Sequence, residues 1–175
     1  MKPWGKGLVI AVVHLCLVAS LGAKLLYDRA TRPRVWVLTV PFDPELPVRG
    51  RYVSLQLVVE PKGMNRPEQG DSRRSTESVV LRPEGERLVA EACPSGRTVD
   101  SSCFLLQWVA RDGRDLAVLS EPAAFFIPEH VPDPSRRPPG EELWIEVTIP
   151  KTGPPRPIRL GVKSGDGPVV PLEID

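Results

Sequence analysis

The chain has 175 residues, a formal net charge of +1 and 41% hydrophobic against 26% charged residues, a globular balance with room for one domain or two small ones. Its 21 prolines and 14 glycines follow no Gly-X-Y period, which excludes collagen and makes long helices scarce. Basic residues cluster only in doublets such as Arg73-Arg74 and Arg136-Arg137, so there is no footprint for a phosphate backbone and nucleic acid is not an expected partner.

Residues 7–23 carry no charged side chain, and Leu25-Leu26 extend the apolar run beyond Lys24 to about 20 residues, enough to cross a bilayer core. With Lys2 and Lys6 ahead of it, the segment reads as a retained transmembrane anchor over residues 1–27. The alternative is a signal cleaved after Ser20 or Gly22, where small residues sit without the A-x-A form. Leu15 is too bulky for a lipobox at Cys16. Lys24, Arg29, Arg32 and Arg34 follow the span, and a Lys/Arg count alone would keep the large domain inside. A short basic leader is nevertheless how an export signal begins, and long domains translocate largely regardless of charge. The expected topology is therefore a single pass with residues 34–175 outside the cytoplasm. His14 reads as a neutral imidazole tolerated in an anchor.

From Val35 onward, apolar residues recur at period two in short runs cut by Pro, Gly and Asp. About nine strands are expected, over 34–40, 51–60, 78–82, 87–93, 103–110, 116–120, 123–128, 142–149 and 158–163, with 169–174 a further candidate. The fold class is all-β, an antiparallel β-sandwich or partly open barrel behind one N-terminal transmembrane helix. In the second strand Val53, Leu55, Leu57 and Val59 share a core face, and Ser54, Gln56 and Glu60 a wetter one. Residues 66–77 and the Pro-rich 131–140 read as loops, and Gly113 and the stretch 161–167 as turns.

Two hairpins have self-consistent registers. Opposing Cys93 to Cys103 puts Leu88, Ala90 and Ala92 with Phe104, Leu106 and Trp108 on one face. Opposing Ile149 to Ile158 stacks Leu143, Ile145 and Val147 with Leu160 and Val162, leaving Glu142 and Glu146 to meet Arg159 and Lys163 outside. Directly opposed cysteines suit a disulfide in an oxidising compartment; in the cytoplasm they would stay thiols.

A catalytic constellation is not found. Outside the span the only histidine is His130, there is no G-x-S-x-G elbow, and Cys93, Cys103 and His130 lack zinc-ligand spacing. Asp43, Glu45, Glu129 and Asp133 fit no calcium or acid/base spacing, and GVKSGDG is not a phosphate loop. No enzyme, metal or cofactor is expected.

The stretch D-P-E-L-P-V-R-G-R-Y-V-S-L-Q-L, residues 43–57, resembles the signature of the GDYxxLxY-domain family, bacterial membrane-anchored proteins whose function is not characterised. Asp43, Pro44, Arg49 and Gly50 match the run that precedes the family motif. Gly50, Tyr52 and Leu55 match named positions, while Arg51 replaces the motif's acid and Leu57 its last tyrosine. The likeness continues in A-A-F-F-I-P-E, residues 123–129, and in the terminal hairpin 143–161. It implies an inner-membrane anchor, a periplasmic β-rich domain and a multi-span membrane protein or other envelope protein as partner. The expected function is thus non-enzymatic, binding or supporting such a partner, with Asp43, Pro44, Arg49, Gly50, Tyr52 and Leu55 as the candidate surface; the same residues also have a structural reading, Asp43-Pro44 as a turn, Gly50 as a bulge or positive φ at strand entry, and Tyr52 and Leu55 packing on opposite sides of the strand. The alternative is a small-ligand sensor or carrier whose cavity is lined by Tyr52, Trp108, Phe125, Phe126 or Trp144.

Overall fold

A computed structural model of the chain describes residues 3–42, 52–64, 76–94, 102–111 and 113–174. The chain forms two compact units, Met1–Arg32 and Pro33–Asp175. The first is a single helix, α1 (Pro3–Thr31), whose stretch Gly7–Asp28 has a mean hydropathy of 2.2 and no buried share, long and apolar enough to cross a membrane. An apolar run of this length folds as a helix because every backbone N–H and C=O then finds its partner within the segment. Its few polar groups turn back on it: the His14 ring lies 2.9 Å from the Ile10 carbonyl through Nδ1, and the Ser20 hydroxyl donates to the Leu17 carbonyl. At the far end Arg32 donates to Asp28 at 3.1 Å, and Pro33, with no N–H to give, follows the last turn.

The described residues of the second unit form eleven strands: β1 (Arg34–Pro41), β2 (Tyr52–Leu57), β3 (Glu60–Lys62), β4 (Glu77–Glu84), β5 (Arg87–Ala92), β6 (Phe104–Arg111), β7 (Arg114–Leu119), β8 (Ala123–Phe126), β9 (Glu141–Thr148), β10 (Arg156–Ser164) and β11 (Val170–Pro171). Six form a sheet in the order β11-β10-β9-β1-β2-β8, and five a second sheet in the order β3-β5-β4-β6-β7. The sheets join at one corner, where Val58 bridges Val118 and the Val59 N–H donates to the Ala117 carbonyl. The first sheet curls until β8 approaches β10. The result is a β-sandwich bent toward a half-barrel, as the period-two pattern leads one to expect.

Alternation fixes the core. Val35 and Val37 of β1, Val53, Leu55 and Leu57 of β2, Ile145 and Val147 of β9 and Leu160 of β10 face Val79, Leu81, Leu88, Leu106 and Leu119 of the other sheet, all buried in one cluster. Gly113 has the positive φ of 73° that its turn between β6 and β7 requires.

Several pairings differ from expectation. The strands on either side of Cys93 and Cys103 are not a hairpin: β4 lies between β5 and β6 and pairs with both. The run expected over 51–60 divides, with β2 staying in the first sheet and β3 crossing to pair with β5, the only parallel pair among the described strands. The β9–β10 hairpin exists, but Leu143 opposes Val162 and Ile145 opposes Leu160, two residues away from the expected register, with an irregularity between Pro157 and Arg159. The faces survive because a shift of two preserves side-chain parity. Residues 161–164 belong to β10, so the turn expected over 161–167 is confined to the part beyond them. Glu146 and Gln56, expected on wetter faces, are both buried.

Candidate functional site

Of the residues singled out by the motif resemblance, Asp43, Pro44, Arg49 and Gly50 lie outside the described residues, whereas Tyr52 and Leu55 open β2. Leu55 is fully buried and belongs to the core. Tyr52, three positions earlier, points to the other face of the strand, where it opposes Phe126 of β8. The two rings are 6.3 Å apart between centroids and inclined at 56°. Two pairs further along, Ser54 opposes Ala124, and its carbonyl accepts the Phe42 N–H at 2.9 Å. Phe42 and Tyr52 are the described residues on either side of the segment that bears most of the motif, so aromatic residues stand at both of its ends.

Phe126 is 75% exposed and Phe42 39%, large apolar groups left in solvent where a monomer would ordinarily place polar ones. The cause is local: Phe125 packs against the core, so its neighbour in an extended strand must face outward. Two consecutive phenylalanines in a four-residue strand were a legible signal for an exposed ring, and cavity lining is the wrong role for Phe126.

The same outer face carries a charged region toward β10. Trp36, Glu146 and Arg159 stand side by side across β1, β9 and β10. Arg159 Nε donates to Glu146 at 2.8 Å, and the guanidinium lies 5.4 Å from the Trp36 ring centroid. In the next rows Lys163 lies 5.3 Å from the Trp144 ring, whose Nε1 donates to Glu142 at 3.3 Å.

The five aromatic residues expected to line a ligand cavity are scattered. Trp108 is in the core, Phe125 packs against it, and Tyr52, Phe126 and Trp144 face outward. A cleft of about 270 Å³ does exist at one end of the domain, but none of the five lines it; its walls include Arg111, Arg114, Ser135 and Arg137. The Pro-rich stretch 131–140 supplies part of that wall, a role its composition did not disclose.

Cys93 and Cys103 come together as a disulfide with Sγ atoms 2.06 Å apart. They do so from either side of β4, with the Cys93 N–H donating to the Ser78 carbonyl. Both thiols are consumed, which removes them as zinc ligands.

Compared with protein-family models, curated proteins and solved structures, the chain matches none.

Proposed function

We propose that the chain is a non-enzymatic, single-span protein of the bacterial inner membrane whose β-rich domain lies in the periplasm and binds or supports another membrane or envelope protein. The observation that carries this reading is the outward aromatic group Phe42, Tyr52 and Phe126, of which Phe42 and Tyr52 are the described residues on either side of the motif-bearing segment. Exposed aromatic rings held on a rigid sheet offer large contact area at small entropic cost, the property of interface anchors. The apolar helix supplies attachment, and the disulfide suits an oxidising compartment outside the cytoplasm. The resemblance of residues 43–57 to the GDYxxLxY-domain signature supports the same assignment.

Site-specific photocrosslinking in native membranes tests it. A photoreactive phenylalanine at position 126 or 52 is expected to give a discrete adduct with one envelope protein, and the same group at the exposed Lys151 none. A lone monomer at positions 126 and 52, with no adduct in its native membrane, would remove the partner reading. Protection of the domain from a membrane-impermeant protease added on the periplasmic side would reverse the orientation.

A further inference from the structure

Resting on the membrane-anchor half of that reading, we propose that the turn between β9 and β10 is a contact surface for anionic phospholipid headgroups, with Lys151 and Arg156 as the groups that meet their phosphates. Pro33 stands only five residues beyond Asp28, the end of the apolar stretch, so the chain cannot carry it more than about 18 Å from that end. The Pro33 carbonyl accepts the Ile149 N–H at 3.3 Å, which ties the β9–β10 turn to the point where the chain enters the domain. Chain length alone therefore keeps this turn close to a bilayer surface.

The turn carries charge of one sign. From Val147 to Gly165 the chain has Lys151, Arg156, Arg159 and Lys163 and no acid. Arg159 is occupied by Glu146 and the Trp36 ring, and Lys163 lies over the Trp144 ring. Lys151 and Arg156 are exposed, and among the described residues neither has an ion pair. Arg156 opposes Thr148 from β10 and Arg34 opposes it from β1, so a cation flanks this residue on either side. Arg34 has a contact of its own within the chain. Glu173 follows Leu172, whose N–H donates to the Leu160 carbonyl, which keeps that acid beside β10 and outside the turn.

Stiffness and polarity fit a lipid surface. Pro150, Pro154, Pro155 and Pro157 restrict the backbone here, so the two cations are presented at small entropic cost. An anionic leaflet attracts each Lys or Arg near it, within a Debye length of about 10 Å, and the tether raises the effective concentration so that two cations suffice. Ile149 packs against the core, and residues 150–157 expose no large apolar side chain, so the contact is electrostatic and engages headgroups rather than acyl chains.

The test uses the full chain in lipid nanodiscs, with Cys16→Ser and a fluorophore on Thr152→Cys, an exposed position of the turn; the remaining two cysteines are joined to each other. Quenching by a trace of phosphatidylcholine spin-labelled on its headgroup reads proximity to the lipid surface. Strong quenching is expected at low salt in discs containing phosphatidylglycerol, and weak quenching in pure phosphatidylcholine. Lys151→Ala and Arg156→Ala should each lower the docked-to-free ratio about fivefold. Arg114→Ala, which removes an exposed cation near the start of β9 rather than its end, should leave it unchanged, as should moving the fluorophore to Ser164 at the far end of β10 abolish the lipid dependence. Circular dichroism checks the fold of each variant. The proposal fails if the two lipids quench equally, if Arg114→Ala acts as strongly as Arg156→Ala, or if position 164 behaves like position 152. Release by inorganic phosphate, where sodium chloride of equal ionic strength leaves the turn docked, would mark a site for the free ion and also overturn it. A chain that does not enter the discs refutes the anchor beneath the proposal, whereas a chain in the disc with a lipid-independent signal refutes the contact alone.

Discussion

Arg159 donates from Nε to Glu146 at 2.8 Å across the β9–β10 ladder, and Glu146, only 6% exposed, also stands beside Trp36 on its other flank. A carboxylate stripped of water at the centre of a sheet face needs a cation and a hydrogen bond to compensate its lost hydration. Arg159 supplies both, and its stacking on Trp36 holds it over the acid. Arg159→Met is therefore expected to destabilise the β domain by about 2 kcal/mol, an intermediate value because the guanidinium itself remains half exposed. Arg87→Ala, which breaks the exposed pair with Glu60, is expected to change stability by less than about 0.5 kcal/mol. Urea denaturation of residues 33–175 measures both, and equal losses would mean that Glu146 is not sustained by Arg159.

The strands were legible because alternation needs only the local chain: Val35, Val37, Val53, Leu55, Leu57, Ile145 and Val147 declare their faces from the sequence alone, and all are buried. Pairing was not legible where a third strand intervenes. Cys93 and Cys103 suggest a hairpin by their spacing, yet β4 inserts between β5 and β6 through contacts from elsewhere in the chain. In the terminal hairpin the register depends on the irregularity after Pro157, a residue with no N–H for the ladder, whereas charge pairing correctly linked Glu146 to Arg159. Period two assigns Glu146 and Gln56 to the outer face but cannot tell that the outer face is covered there. The motif drew attention to Tyr52, while its ring partner Phe126 required knowing which strand lies beside β2.

Gly161 shows how tightly that outer face is covered. A Cβ at this position would stand 2.7 Å from Val169 Cγ1 and 2.8 Å from the Trp36 ring, distances no real contact sustains. Gly161→Ala is expected to cost about 1–3 kcal/mol by overpacking, although the backbone conformation is an ordinary strand. Trp36→Leu should recover part of that loss when combined with Gly161→Ala, despite being destabilising alone. A strictly additive double variant in thermal denaturation would show that the ring is not what the new methyl group strikes.

Among the described residues, Lys62 on β3 has a pKa moved clearly from its ordinary value. Its ammonium donates to Glu84 at 2.6 Å and lies 3.5 Å from Glu91, and the hydrogen bond to Glu84, then the charges of both acids, raise its pKa above the ordinary 10.5. A raised folded-state pKa means that the pair's contribution to stability is fully present below pH 10.5 and is lost as pH climbs through the higher folded value. Carbon-detected NMR of the lysine Cε resonances should show Lys62 titrating above the ordinary 10.5, and Glu84→Gln should bring its midpoint down. A midpoint for Lys62 at or below 10.5, or one that Glu84→Gln leaves in place, would contradict the ion pair.

The disulfide joins the architecture to the compartment. Cys93 follows β5 and Cys103 precedes β6, two strands that run parallel to each other with β4 between them, so the bridge closes a connection that no ladder hydrogen bond between β5 and β6 can hold. With a sequence separation of 10, cross-linking removes loop entropy from the unfolded chain worth about 3 kcal/mol. Replacing both cysteines by serine is expected to lower stability by that order, and to do so without disturbing the exposed Phe126 on the other sheet. Because Cys16 is the one free cysteine among the described residues, alkylation of the denatured, full-length chain should label one thiol before reduction and three after. Three labelled thiols without reductant, in protein taken directly from its native membrane, would place the domain in a reducing space and remove both the bridge and the periplasmic assignment that leans on it.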